Sequence, residues 1–353
     1  MIRINLSYIL FFLICLYSVS SKGQDFSYTQ SFAHTSTLNP AMTGLHNGQY
    51  KLSLLNRNQW IKATEQPFNM VGGYFDFRSK LPLKVASKDA FGMGLGFVSE
   101  TQGILDFKKN AFHLNLAYHK ALDPRGDQFL SVGFQLGFLQ HALGYENVTF
   151  FDQFDGTGFN LSTSENLPQN SFNTTDVSLG LSYQNSISDY QLFAIGLAMF
   201  HVNAPNIAFH GNDIATFDET ENNLYAKYIF YTYYSWALSS DLSLTPRIIT
   251  KVQGPNSLTS LGGTARLKLK GYQEQAMHLG LFLHSGKTIN SSFTPHTLSL
   301  LVGYELNNFN LGLSYDVGVV NRYNWSQNVG NFELSLTYFG FLQNGSGAGC
   351  PIF

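Results

Sequence analysis

Several short runs have the spelling of reactive motifs. Ser285-Gly286-Lys287-Thr288 reads like the end of a phosphate-binding loop. The full pattern GxxxxGK[ST] needs its first glycine at position 281, which is Leu, and no strand–loop–helix setting surrounds it. Gly92, Gly94 and Gly96 give GxGxG rather than GxGxxG, and no helix follows. Arg125-Gly126-Asp127 spells an adhesion tripeptide, but Pro124 and Gly126 are sufficient as turn residues. The ten His form no HExxH and no close His/Cys pair. His113 and His119 would share one face of a strand, yet six residues along a strand is ~20 Å, too far to ligate one metal. No Ser/His/acid set stands out. We therefore assign no catalytic residue, no cofactor site and no metal site, and read the chain as non-enzymatic.

What must position these residues is set by composition. Charged residues make up 12% of the 353, against a usual ~25%. Aromatics reach 15%, with 31 Phe and 19 Tyr, and there are 32 Gly. Mean hydropathy is only −0.06, without the ~20-residue apolar runs of membrane helices. Few charges, many aromatics and neutral average hydropathy together point to a transmembrane antiparallel β-barrel, where apolar lipid-facing residues alternate with small or polar lumen residues. A hydrophobic content of 44% excludes disorder, and a net charge of −2 argues against nucleic acid.

The first 23 residues read as a secretory signal peptide. Arg3 gives a positive start, residues 9–19 an apolar core, and Ser21-Lys22-Gly23 a small-residue cleavage site. Cys15 follows bulky Ile14 and is no lipid-attachment site. Cleavage leaves 19 basic and 23 acidic residues and a single cysteine, Cys350, so no intramolecular disulfide forms.

Period-2 alternation predicts strands near 48–57, 68–78, 91–100, 110–122, 128–140, 175–185, 190–202, 225–236, 241–252, 258–270, 275–285, 296–307, 308–319 and 331–342. Tyr145 to Phe151 is a further strand-like piece, so the count of about 14 is open by two. With both termini in the periplasm, the long gaps 141–174 and 203–224 fall outside, and the short gaps 123–127, 186–189, 237–240 and 271–274 inside. The gaps 79–90 and 253–257 break this alternation. The lumen side is expected to hold Gly, Ser, Asn and Ala with few charges. Tyr228, Tyr231, Tyr233, Tyr234 and Trp236 read as an interfacial girdle. The domain plan is 1–23 signal, 24–47 a periplasmic or plug segment, 48–342 barrel with Phe341 closing the last strand, and 343–353 a Gly-rich tail. The lone Cys350 on that tether suggests a tail contact with a periplasmic partner.

Within this plan one series of residues is distinctive. Gln24-Asp25-Phe26 with Thr29-Gln30 is followed by Leu38-Asn39-Pro40-Ala41-Met42-Thr43-Gly44, then Asn56-Arg57-Asn58-Gln59-Trp60, then Pro67-Phe68. The series resembles the PorP/SprF family of type IX secretion system membrane proteins, which carries a QD start, an LNPA-aromatic-TG segment, an RNQW strand and a PF. Cys350, Pro351 and Phe353 also look like the family's C-terminus. Met42 replaces the usual aromatic, and the Pro often found after the Asp is missing. The resemblance implies an outer-membrane β-barrel of a Gram-negative bacterium that serves protein secretion and gliding motility. Its implied partners are outer-membrane lipid, a secreted protein with a C-terminal sorting domain, and other type IX secretion components. The family supplies no catalytic residue.

Read from the residues alone, Asn39, Pro40, Thr43 and Gly44 either turn the chain into the barrel or form a partner-docking element. The same choice holds for Arg57, Asn58, Gln59 and Trp60. Arg57 is expected to pair with an acid such as Asp76 on the neighbouring strand, and Trp60 to anchor at the interface. Asp152, Asp155, Glu165, Asp213, Asp218, Glu219 and Glu221 in the two long loops, without Lys or Arg, would favour a basic partner. The alternative function is a passive outer-membrane channel or hydrophobic-solute transporter.

Overall fold

A strand sends successive side chains to opposite faces. Leu52 and Leu54 thus point one way, and Lys51, Ser53, Leu55 and Arg57 the other. Repeated along the chain, this pattern makes ribbons with one apolar and one polar face, and in lipid only closure satisfies their backbones. The computed structural model describes residues 25–341 apart from 26, 47, 63, 65, 81–87, 104, 147, 155, 159, 161–162, 166, 189–190, 210–221, 271–273, 288–292 and 320–329. Fourteen antiparallel strands form a closed barrel among the described residues. They are β1 Tyr50–Gln59, β2 Phe68–Lys80, β3 Ala90–Gln102, β4 Phe107–Ala121, β5 Gln128–Ala142, β6 Ser171–Ser188, β7 Gln191–Phe200, β8 Lys227–Ala237, β9 Leu242–Gln253, β10 Asn256–Leu269, β11 Gln275–Lys287, β12 Phe293–Leu306, β13 Phe309–Gly318 and β14 Asn331–Gly340. Each strand pairs with its sequence neighbours, and β1 pairs with β14.

Every expected strand is present, with ends displaced by at most four residues. The described residues of 145–151 form no strand, and Phe151 opens a 3-10 turn, Phe151–Gln153. β14 stops at Gly340, so Phe341 lies one residue beyond the strand rather than closing it. Outward side chains are large and apolar: Leu95, Phe112 and Leu279 are each more than half exposed on the barrel's outer wall. One end of the barrel carries short connections such as 122–127, 238–241 and 307–308, and the other carries the long ones, 143–170 and 201–226. The connection 81–89 is the long one at the short-turn end. At the long-loop end, β9 and β10 are joined by Gly254 and Pro255 alone, with Gly254 at φ +54°.

The aromatic strand β8 departs from expectation. Tyr231 and Tyr233 are buried and face the lumen, stacked at 6.2 Å. Only Tyr228 and Trp236 of the presumed girdle are strongly exposed. Alternation explains this: the odd-numbered positions of β8 point inward.

Tyr231 and Tyr233 have something to pack against. Residue 25 and residues 27–46 lie inside the barrel, and Leu38 and Met42 join Tyr231, Tyr233, Ile229 and Ile249 in one apolar cluster. The strands make room for this segment with glycine. A Cβ at Gly133 would lie 2.2 Å from the Ala41 nitrogen, one at Gly180 2.0 Å from Asn39 Oδ1, and one at Gly92 2.0 Å from the Thr43 carbonyl oxygen. Gly133→Val is therefore expected to dislodge the segment and leave the barrel closed. Overpacking of this kind costs about 1–3 kcal/mol. Limited proteolysis within 25–46 should accelerate roughly tenfold, while unheated protein keeps its faster gel mobility. Unchanged cleavage would contradict the packing described here.

Candidate functional site

Asn39 occupies the position before the 3-10 turn Pro40–Met42 and caps it. Its Oδ1 accepts from the Ala41 amide at 2.8 Å. Proline suits the first position of such a turn, where its missing N–H has no partner to lose. The Asn39 Nδ2 donates to the Leu181 and Leu197 carbonyls at 3.0 and 3.1 Å, fastening the turn to β6 and β7. Thr43 Oγ1 accepts from the Tyr74 hydroxyl at 3.0 Å. The Thr43 carbonyl lies 2.8 Å from His119 Nε2, and His119 Nδ1 lies 2.8 Å from Ser131 Oγ. A neutral imidazole protonated on Nε2 satisfies both contacts. Gly44, at φ +77°, donates its amide to Asp76 Oδ2 at 2.6 Å.

Arg57 does not pair with Asp76. Register places Asp76 opposite Lys51, and Arg57 opposite Met70 on β2 and Glu333 on β14. Arg57 Nη1 contacts Glu333, and Nη2 donates to Asp316 Oδ2 at 3.3 Å. The N-terminal segment enters the same knot. The Thr29 and Gln30 amides donate to the two Glu333 oxygens at 2.7 and 2.9 Å, and Thr29 Oγ1 donates to Asp316 at 3.0 Å. Gln30 Nε2 reaches Ser314 Oγ at 3.1 Å, and its Oε1 accepts from Ser335 at 2.7 Å. All of these groups are buried.

The first residue of the segment is tied to the far wall. β8 lies opposite β1 in the ring. There Asp25 accepts from Lys227 Nζ at 2.7 Å and His201 Nε2 at 2.5 Å, and His201 Nδ1 lies 2.9 Å from Asp176. Burial would raise the Asp25 carboxyl, but Lys227 and His201 hold it well below the usual range. Burial would likewise lower His201, but Asp25 and Asp176 push it up to about 9. His201 adopts φ 58°, a left-handed conformation uncommon outside glycine.

The lumen thus holds more charge than expected. Lys51, Arg57, Asp76, Glu100, Asp176, Arg247, Glu305, Asp316 and Glu333 all lie buried on strands. Above the knot, at the long-loop end, opens a cavity of about 850 Å³. Tyr28, Thr29, Arg57, Gln59, Trp60, Phe68 and Asp316 are among its lining residues. Trp60 tilts against Phe68, with ring centroids 4.6 Å apart, and its amide donates to Asn331. Asn58 is the exception: its Nδ2 bonds Asn56 Oδ1 at 3.0 Å and it does not line the cavity. A second cavity of about 240 Å³ lies beside the first, lined by Asp25, Tyr28, Phe107, His113, His201 and Lys227 among others.

In the long loops, Asp152 is exposed and accepts from Thr163 and Ser164, next to Phe151, which is 95% exposed. Glu165 is exposed as well. Asp155, Asp213, Asp218, Glu219 and Glu221 lie outside the described residues, as do 1–24 and the tail with Cys350, Pro351 and Phe353. Sequence reasoning missed Thr29, Gln30, Asp316 and Glu333 as partners of Arg57 in one constellation, and Asp25 as the partner of Lys227 and His201. The available signal was a charge at an inward position of a period-2 strand, which Asp316 and Glu333 both satisfy.

The family model for the type IX secretion system membrane protein PorP/SprF matches residues 20–338. No curated protein matches the chain. Among solved structures, a deltaS2 mutant of the TodX monoaromatic hydrocarbon channel aligns with a TM-score of 0.52 at 10% identity, over 86% of this chain and 93% of that one. The Ralstonia pickettii toluene transporter TbuX aligns with a TM-score of 0.48 at 11% identity, over 90% and 96%. At such identities the TodX likeness is one of fold.

Two outcomes follow from the site. Arg57→Met leaves Asp316 and Glu333 buried without their cation, which costs about 3–5 kcal/mol in denaturant unfolding from detergent. Glu333→Gln added to it should recover part of that loss, and strictly additive losses would refute the knot as a unit. The second concerns pH. His201 is raised, so its contribution is complete below the ordinary value of 6.5 and disappears as pH climbs through about 9. Asp25 is depressed and loses its contribution only in strong acid. The melting-temperature gap between the native protein and His201→Gln should be widest near about pH 6 and close by about pH 10. A gap independent of pH would contradict the pairing.

Proposed function

Because this chain belongs to the PorP/SprF family of type IX secretion system membrane proteins, we propose that it is a non-enzymatic outer-membrane accessory of that system, helping export or surface attachment of a cognate protein with a C-terminal sorting domain. One observation carries the reading. Thr29, Arg57, Gln59 and Trp60, drawn from two separated family motifs, line the same 850 Å³ cavity at the long-loop end. A barrel needs no such convergence merely to close. A cavity with a polar, charge-bearing floor and an aromatic rim suits the end of a polypeptide, with Trp60 and Phe68 as aromatic contacts and the floor as hydrogen-bonding surface.

In this reading residues 1–23 direct export, the long-loop end faces outward, and residues 24–46 serve as a fixed floor and docking element. The acidic long loops favour a basic patch on the cargo by steering its approach. The tail with Cys350, Pro351 and Phe353 contacts a component on the periplasmic side.

A second reading has its own support. The 240 Å³ cavity has largely apolar walls, and the similar fold of TodX belongs to a monoaromatic hydrocarbon channel. By this reading the barrel passes small hydrophobic solutes.

Gene deletion with complementation in trans separates the two. Selective loss from the surface or medium of one or a few proteins with C-terminal sorting domains is the expected result. Complementation by Trp60→Ala or Gln59→Ala should restore barrel assembly but reduce cargo display. An unchanged secreted set with altered uptake of small hydrophobic solutes would overturn the accessory reading in favour of transport.

A further inference from the structure

Arg247 lies on the inward face of β9 and is buried, 4% exposed. Its Nε and Nη1 have no hydrogen-bond partner among the described residues. One face of the guanidinium rests on Phe32, 4.3 Å from the ring centroid. No carboxylate among the described residues pairs with Arg247, although Asp76, opposite Lys51 on β2, keeps one buried oxygen without a hydrogen-bond partner. Asp76 accepts from Gly44, Glu305 is gripped by Arg266 and His278, and Asp316 and Glu333 belong to Arg57. Lys51 on β1, 3% exposed, is similar: its Nζ reaches Thr35 Oγ1 at 3.4 Å and forms no ion pair among the described residues.

These two cations line the same cavity, of about 60 Å³, between residues 30–33 of the N-terminal segment and the barrel wall. Its lining comes largely from the starts of β1, β11 and β13 and the ends of β12 and β14, so it lies toward the short-turn end. Phe32, Leu301 and Phe339 give the walls their apolar part, and Gln30, Thr264, His278, Asn310, Ser335 and Thr337 add polar groups. A buried guanidinium with open N–H groups is one of the least tolerable arrangements in a low-dielectric interior, and an aromatic face offsets only part of it. An anion in the cavity resolves it.

We propose that this cavity is a binding site for a small organic carboxylate. The carboxylate accepts from the open Arg247 N–H groups, with the Lys51 ammonium as second cation, and its short apolar body lies against Phe32, Leu301 and Phe339. Inorganic phosphate is less suited, because it has no apolar body to cover Phe32, Leu301 and Phe339.

The test uses full-length protein in a zwitterionic detergent and a carboxylate-free buffer. Sodium butyrate is titrated against sodium chloride and sodium phosphate at matched ionic strength, following the melting temperature and saturation-transfer NMR of butyrate. A saturable stabilisation by butyrate, absent with chloride and phosphate, is expected. Arg247→Met should abolish it, and Lys51→Met should weaken binding roughly tenfold. The NMR signal on native protein and the Lys51 variant serve if Arg247→Met does not fold. Equal effects of phosphate and butyrate would overturn the carboxylate assignment in favour of simple charge neutralisation. No effect beyond chloride, or an undiminished response in Arg247→Met, would overturn the site itself.

Discussion

A sheet in lipid cannot leave an edge unpaired, because no water is available to satisfy its N–H and C=O groups. The structure therefore depends on joining β1 to β14, and the seam carries its own register key. Tyr50 to Asn58 pair with Gly340 to Phe332, which sets Arg57 directly opposite Glu333 on the inner face. A one-residue slip would turn Arg57 toward lipid and an apolar outer residue toward the lumen. The Glu333 carboxylate also accepts the amides of Thr29 and Gln30. One side chain thus fixes the closing seam and the course of the N-terminal segment, so barrel closure and the filling of its lumen are coupled.

Filling is needed because a ring of this width is too broad for its own inward side chains to occupy. The chain solves this with residues 25–46, and the manner of attachment differs around the wall. Asp25 is held by ions on the β7–β8 side, Thr29 and Gln30 by the knot on the β13–β1 side, and Leu38 and Met42 by apolar packing. Asn39, Thr43 and Gly44 are held through hydrogen bonds to groups on the strands. Such polar attachment is directional. It specifies one position of the segment where greasy packing alone would tolerate several. Glycines at 92, 133 and 180 are the counterpart on the wall, since any side chain there would collide with the segment's backbone or with Asn39.

The strands were legible because a two-sided environment writes a period-2 pattern into each of them, and the long β6 and the glycine-rich β3 show it equally. Their partners were less so. Arg57 was expected to find Asp76, since β2 is its neighbour in sequence, yet antiparallel direction carries Asp76 to Lys51 and closure brings Glu333 from the far end of the chain. Local sequence does not encode a contact across 276 residues. The same limit applied to β8, where an aromatic run suggested a rim and half of it packs on Met42 and Leu38. The lumen charges were visible letter by letter; what the letters lacked was the segment that neutralises or surrounds them. The 24–47 motifs were conspicuous for this reason, though their location in the lumen could not be read from them.

Whether the barrel acts as a conduit or as a receptor turns on this segment. A conduit needs a path past residues 25–46. Withdrawing them would strip the Thr29 and Gln30 amides from Glu333, the Asp25 carboxylate from Lys227 and His201, and Leu38 and Met42 from Tyr231 together, because one backbone carries all three. Left behind would be a buried Asp316 and Glu333 with part of their donors gone, an arrangement that low dielectric penalises heavily. A receptor needs none of this: the cavity above Arg57 is already open toward the long loops, and its floor is rigid because the same bonds hold it. Affinity at such a mouth gains from a floor that does not reorganise on binding. The cost of withdrawing the segment from the Arg57 knot thus supports the proposed accessory role, with an occupant held at the long-loop end, over the channel reading.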